Sequence, residues 1–462
     1  MRQRTRCAVV AALVALAACG DDDAEPPASR VEEGTLIVDT DLASDDLIAL
    51  QYLASHPKVD LRAVTVTGTG EVTCPRGAAV ARGLLAAMGA PAVPVACGPS
   101  SPLSGDRVFP AQWRTAADNV YGLVLPVVSA PADEQDAVAL LRDTLAESPG
   151  ATLLTLGPLT NVALALAEDP DLVDDVGRIV IMGGAVDVDG NVQPEGAASP
   201  LPAEWNLFID PEASSAVLAS GAPVLLVPLD ATNHVPVDES VVDRLVANDR
   251  NDGTSRVLDL LRVWTPPYLW DPLAAIAATD PTLVPSHDAR IAVTTEGADA
   301  GRTVEQTDGS SVTVADPPDA SAVLEHLVRT LAGLPQGEPL ATPTTLPVVG
   351  RATVKFDGTT CTYDGPTTPG VGALVVTVVP GSEPYGVSVV HLADGTTVEE
   401  AVAWIAEHPG EVPPMIEQDL GYIGEGGLAS PATIELIPGS NPLACLTGDG
   451  SIHLGAVIVV GD

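Results

Sequence analysis

The chain has 462 residues, 46% of them hydrophobic, enough for two or three domains with sizeable cores. Lys plus Arg is 21 against 62 Asp plus Glu, a formal net charge of −41. Such a surface repels nucleic acid and anionic lipid, so no nucleic-acid partner is expected; the acidity fits solubility or a salty, extracytoplasmic habitat and specifies no chemistry.

In chain order, residues 1–18 read as a signal peptide: "MRQRTR" is a basic start, and "AVVAALVALAA" is an apolar run too short to span a bilayer as a mature helix. Leu16-Ala17-Ala18-Cys19 resembles a bacterial lipobox, which makes Cys19 the lipidated N-terminus and 19–34 a polar tether. The alternative is an ordinary cleaved signal with an incidental cysteine. Both place the protein outside the cytoplasm, the first anchored to the cell membrane through its lipid. Disulfides are permitted there. With Cys7 in the signal, four cysteines remain, and the economical pairing is Cys74 with Cys97 and Cys361 with Cys445, connectivity being open.

From 35 to 335, short apolar runs alternate with helical stretches. "TLIVDT", "LRAVTVTG", "AVPVAC", "ATLLTLG", "RIVIMGG" and "APVLLVPL" predict strands covered on both faces. "DDLIALQYLASHP", "PRGAAVARGLLAAMG", "DAVALLRDTLAESP" and "LTNVALALAEDP" carry apolar residues at helical spacing. The expected fold class is α/β with a mostly parallel sheet, whose ligands bind beyond the carboxyl ends of the strands. Residues 336–348 read as a Pro- and Thr-rich linker. From 349 to 462, short strands between Gly, Pro, Asn and Asp turns, with one helical insert, "TVEEAVAWIAEHP", predict a small all-β sandwich. It loosely resembles cupredoxin-like domains, but His391 and His453 lack the companions of a copper set. It is expected to be an accessory module.

The sharpest signal is "LIVDTDLASDDLIAL", where Asp39, Asp41, Asp45 and Asp46 fall within eight positions as a buried strand meets a helix. Helix capping accounts for Asp45 or Asp46 but not for Asp39 and Asp41. An EF-hand loop requires Gly at its sixth position and Glu at its twelfth, where Ser44 and Leu50 stand. A haloacid-dehalogenase-like phosphatase also opens strand-Asp-x-Asp, but Ala43 occupies the place of its Thr or Val. Packed carboxylates repel at neutral pH, and a hard divalent cation is the usual compensation.

Asp-x-Asp-x-x-x-Asp-Asp after an N-terminal strand resembles the signature of the calcium-dependent nucleoside hydrolases. "TLGPLTNVALAL" (155–166), "RIVIMGGAV" (178–186), "AEWNLFIDPEAS" (203–214) and "WDPLAA" (270–275) are similar to further family segments in the same order. The resemblance covers about 300 residues, 35 to 335, and implies hydrolysis of ribonucleosides to base and ribose, with Ca²⁺ as cofactor and nucleoside salvage as the setting. It implies that Asp41, Asp46, Asp271 and the backbone carbonyl of Leu156 bind the metal, Asp41 also serving as base toward the attacking water. Asp45, Glu204 and Asn206 would hold the sugar. Asp39 would orient the cluster, and Asn161 and Met182 would line the site. A homo-oligomer is compatible with all of this.

Two departures bear on the base. Trp270 stands where inosine–uridine-preferring members carry a His, and Thr69-Gly70-Glu71 lacks an Asn that many members place there. Asn191 is a further ribose contact, though its distance from Glu204 is unusual. Trp270 and Trp264, and after them Trp113, Tyr121, Trp205 and Tyr268 in or beside the same segments, are candidates to stack on the base, the alternative being that they fill core or interface space. Two other functions stay open: an extracytoplasmic nucleoside- or sugar-binding protein without turnover, and a hydrolase of another N-riboside.

Overall fold

The computed structural model describes residues 34–460 except 124, 127, 129–135, 194–198, 336, 343–347, 358–359, 370–371, 380–384, 394, 409–413, 424–431, 437 and 448–451. The signal peptide, Cys19, nearly all of the tether and much of the linker lie outside the described residues. No helix among the described residues is long and apolar enough to cross a membrane.

The apolar runs form the strands of one nine-stranded sheet. In chain order these are β1 (Thr35–Thr40), β2 (Asp60–Val66), β3 (Val95–Cys97), β4 (Ala151–Thr155), β5 (Val176–Met182), β6 (Val224–Val227), β7 (Ser286–Val293), β8 (Thr303–Glu305) and β9 (Ser310–Ala315). Their order is β3-β2-β1-β4-β5-β6-β9-β7-β8. The first seven pair in parallel, and β7 pairs antiparallel with β8 and β9 at one edge. Sequence periodicity anticipated six of the strands but not this edge, where β7 reads Ser-His-Asp-Ala-Arg before any sustained apolar run.

Each central strand feeds two cores, which explains its unbroken apolar composition. In β1, Leu36 and Val38 pack under the helices Ser44–Ser55, Asp252–Val263, Trp270–Thr279 and Ala320–Leu331. Ile37 points to the opposite face, toward Ala137–Glu147, Thr160–Glu168 and Pro211–Leu218. The chain leaves β1 toward β2 on one side, while β4 pairs on its other side. This reversal of strand order opens a crevice at the carboxyl ends of β1 and β4, the usual ligand position in such sheets.

The C-terminal strands are β10 (Val348–Phe356), β11 (Cys361–Asp364), β12 (Gly372–Val379), β13 (Tyr385–Leu392), β14 (Ile416–Ile423), β15 (Ala432–Leu436), β16 (Gly439–Thr447) and β17 (Ile452–Val460). They make two four-stranded sheets, β11-β10-β12-β15 and β14-β13-β16-β17. Pairing is antiparallel except between β10 and β12. Val354, Phe356, Leu374 and Val376 from the first sheet pack with Val387, Val389, Leu443 and Ile458 from the second. The Cys361–Cys445 disulfide ties β11 to β16 between the sheets, and Cys74–Cys97 closes a short loop in the α/β region. Both match the economical pairing. His391 is occupied by Asn441 (Nδ1 to Oδ1, 3.1 Å), and His453 lies against Phe356, so both serve packing.

Candidate active site

Strand β1 ends at Thr40 and the next helix starts at Ser44, leaving three residues to turn the chain. Leu42 makes that turn in a left-handed conformation, φ 58°, while its side chain stays buried. Such a conformation in a branched aliphatic residue costs about 1–3 kcal/mol and is retained where it positions neighbours. Here it brings Asp41, at the strand end, and Asp45 and Asp46, in the first helical turn, into one cavity. The far wall comes from Leu156 after β4, Met182 at the end of β5, the 204–206 segment, and Trp270 with Asp271 at the start of the Trp270–Thr279 helix.

The acids are held individually. Thr40 Oγ1 donates a short hydrogen bond to Asp46 Oδ1, which also accepts the Asp41 N–H at 3.2 Å. Asp41 accepts from the backbone N–H groups of Ala43 (3.3 Å) and Glu71 (3.1 Å). Asp39 lies one layer deeper, outside the cavity lining, its Oδ1 accepting from Thr65 Oγ1 (2.6 Å) and Asn161 Nδ2 (2.8 Å). Glu204 caps the Trp205–Ile209 helix, accepting N–H bonds from Asn206, Leu207 and Gly184. Asn206 Nδ2 donates to the carbonyls of Leu156 (3.2 Å) and Met182 (3.3 Å), which fixes both carbonyls at the cavity wall.

Asp39, Asp41, Asp45, Asp46, Glu204 and Asp271 are all buried. Burial is the first cause of their raised pKa values: Asp41 rises to about 6, Asp39, Asp45 and Glu204 to about 7, and Asp46 and Asp271 well above the carboxylate range. Mutual repulsion adds to this. A cation reverses it, because an opposite charge favours the ionised form.

The residues fit a hard cation. One carboxylate oxygen each from Asp45, Asp46 and Asp271 lies within 4.8 Å of the others. Among the described residues, the buried Asp46 Oδ2 has no hydrogen-bond partner. Three convergent oxygens with no nitrogen or sulfur suit Ca²⁺ or Mg²⁺ better than a soft metal. Asp41, expected among the ligands, is not one of these three; its two oxygens accept one backbone N–H each, from Ala43 and Glu71, and it lines the same cavity.

Asn191, expected from its spacing to be a loose candidate, lies in the cavity wall, its Oδ1 accepting the Trp205 N–H at 3.0 Å. Trp270 lines the cavity beside Tyr268, and its buried Nε1 has no partner among the described residues. Trp264 is not among the lining residues: it is 40% exposed and packs on Tyr121 with ring centroids 5.3 Å apart. Its position just past a helix C-terminus turns it toward the surface. Phe109, Trp113 and Trp205 form the aromatic wall instead, Phe109 stacking on Trp205 at 5.2 Å. Phe109 sits in no motif with recognisable spacing and escaped sequence reasoning; Glu71 was noted only for the Asn missing from its loop, not as a site residue. Glu71 faces the cavity with Oε2 accepting from Tyr121 OH at 3.1 Å.

The inosine-uridine preferring nucleoside hydrolase family profile matches residues 36–326. Over 279 residues the chain is 32% identical to the pyrimidine-specific ribonucleoside hydrolase RihA of Photobacterium profundum, an alignment covering 57% of this chain and 85% of that protein. It is 30% identical over 315 residues to uridine nucleosidase 1 of Arabidopsis thaliana, covering 63% and 91%. The solved inosine-uridine preferring nucleoside hydrolase of Bacillus anthracis superposes with a TM-score of 0.58 at 28% identity, over 65% of this chain and all of that one. The C-terminal sheets lie beyond the matched residues. With the buried acid cavity at the β1/β4 crevice, these matches show that the chain is an enzyme of the inosine-uridine preferring nucleoside hydrolase family.

Proposed function

We propose that the chain cleaves the N-glycosidic bond of ribonucleosides to free base and ribose, with Ca²⁺ as cofactor. The observation that carries this reading is the convergence of Asp41, Asp45, Asp46, Glu204 and Asp271 on one buried cavity walled by Phe109, Trp113, Trp205 and Trp270.

Asp45, Asp46 and Asp271 are the side chains that would hold the cation, beside the Leu156 carbonyl. When bound, the cation supplies Lewis acidity toward water and a grip on a sugar diol. Asp41, aimed into the cavity by the N–H groups of Ala43 and Glu71, takes the proton from the attacking water. Asp45 and, across the cavity, Glu204, Asn206 and Asn191 bind ribose hydroxyls. As the bond breaks, positive charge grows on the ribose ring, and the surrounding carboxylates stabilise it more than they stabilise the neutral substrate. The aromatic wall stacks the base and keeps water from its face. Asp39 touches no substrate in this scheme; it orients Asn161 and the end of β1.

We place the protein outside the cytoplasm with Cys19 as its lipid anchor, an assignment supported by the lipobox-like sequence and by two formed disulfides. The decisive experiment is ribose release from a panel of nucleosides, with and without chelator, for wild type and Asp41→Asn. Release that survives both chelation and Asp41→Asn overturns the mechanism. Tight nucleoside binding with no product at any pH assigns the chain to binding without turnover.

A further inference from the structure

Two of the seven histidines meet on one carboxylate, away from the acid cavity. His56 Nε2 lies 3.0 Å from Asp280 Oδ2, and His326 Nε2 lies 3.3 Å from the same oxygen. The three candidate ligand atoms all fall within 4.8 Å of one another. His56 follows the end of the Ser44–Ser55 helix, Asp280 follows the end of Trp270–Thr279, and His326 projects from Ala320–Leu331. The first two helices begin at Asp45, Asp46 and Asp271, so their 12 and 10 residues separate the clusters by roughly 15 Å.

We propose that His56, Asp280 and His326 form a second, structural site for a divalent transition metal of the zinc class. Two imidazoles and a carboxylate are a common zinc donor set, and tetrahedral bonds of about 2.0–2.2 Å require ligand atoms on the order of 3.4 Å apart. The two nitrogen–oxygen distances, 3.0 and 3.3 Å, lie slightly inside that edge, so the donors need to part by only a few tenths of an ångström to admit an ion. Two helix C-termini face the cluster, and their dipoles favour a cation. The His56 and His326 side chains are 7% and 12% exposed, which shields the donors, while Asp280 at 31% leaves an approach for the ion and a water as fourth ligand.

The rearrangement needed is small. His56 must present its Nε2 lone pair, so its proton moves to Nδ1, at the expense of one long bond from the Lys58 N–H (3.4 Å). The metal would take the His326 Nε2 lone pair that now meets Tyr52 OH at 2.9 Å, so Tyr52 gives up that contact and keeps its 2.7 Å bond to Thr279 Oγ1.

The test uses the full chain with disulfides intact and excess Ca²⁺ present to fill the acid cavity. Calorimetric titration with Zn²⁺ should show one ion per chain and a raised melting temperature. X-ray absorption of the zinc-loaded wild type should show two imidazole ligands, a signature the histidine-free acid cavity cannot produce. His326→Gln should weaken binding by about 100-fold or more, with ribose release unchanged. Absence of stoichiometric uptake above Ca²⁺, a spectrum without imidazole, or affinity unchanged in His326→Gln overturns the proposal. If His326→Gln does not fold, the wild-type titration and spectrum decide alone.

Discussion

A Cβ atom placed on Gly70 would lie 2.0 Å from the Cβ of Asp41. On another side, a Cβ on Gly157 would lie 2.8 Å from it. Asp41 is therefore wedged between two backbone segments that only glycine allows so close. That wedge, with the Leu42 turn, aims its carboxylate.

Gly70→Ala should reduce kcat by about 10²-fold or more while the protein remains folded, because displacing a catalytic group by an ångström has that effect. Steady-state kinetics with circular dichroism checks it. Wild-type kcat in Gly70→Ala would mean that Asp41 does not act from this position.

Asp41→Asn keeps the shape but removes the proton acceptor. The expected loss in kcat is about 10²–10⁴-fold, with KM changed far less. Asp46→Ala should instead raise the Ca²⁺ concentration needed for half-maximal activity, read from a metal titration of ribose release.

Chelation should abolish ribose release, and Ca²⁺ should restore it better than Mg²⁺, which demands a stricter octahedron and sheds water reluctantly. Full restoration by Mg²⁺ alone would reassign the cation.

Without metal, Asp39 and Glu204 have pKa values of about 7 in the folded chain, above those of free carboxyls. The folded state thus binds more protons than the unfolded one between about pH 4 and 7, and stability falls as pH rises through that window. The melting temperature in chelator should drop by on the order of 3 °C or more between pH 5 and 7.5. Adding Ca²⁺ should flatten the trend. A metal-free melting temperature that rises over this range contradicts the burial of neutral acids.

Trp270→Ala should lower kcat/KM by about 1–3 kcal/mol through lost stacking, unequally among bases. Trp264→Ala, outside the cavity, should stay within roughly 0.5 kcal/mol of wild type. Equal effects from the two substitutions would remove Trp270 from the base site.

Local pattern was enough to read most of the α/β frame. "TLIVDT" is apolar because β1 feeds two cores, and unbroken apolar runs followed by helical spacing leave few alternatives to a parallel sheet. The acid motif was equally legible, since four carboxylates at one strand end need a compensating charge whatever surrounds them. The antiparallel edge was not, because β7 is half exposed and its polar residues carry no periodic signal.

What sequence alone determined was therefore the frame, the gathering of four carboxylates at one strand end and the likeness of five segments to one family. Tertiary structure decided their grouping: Asp271, some 225 residues from Asp46, joins Asp45 and Asp46, while Asp41 is drawn onto backbone donors beside them. It also decided that Phe109, Trp113 and Trp205 wall the cavity and that Trp264 does not. The physical reason is range. Hydrophobic periodicity and turn chemistry act over a few neighbouring residues, whereas a cavity is built where distant strand ends and helix starts meet, and only the packed sheet brings those together.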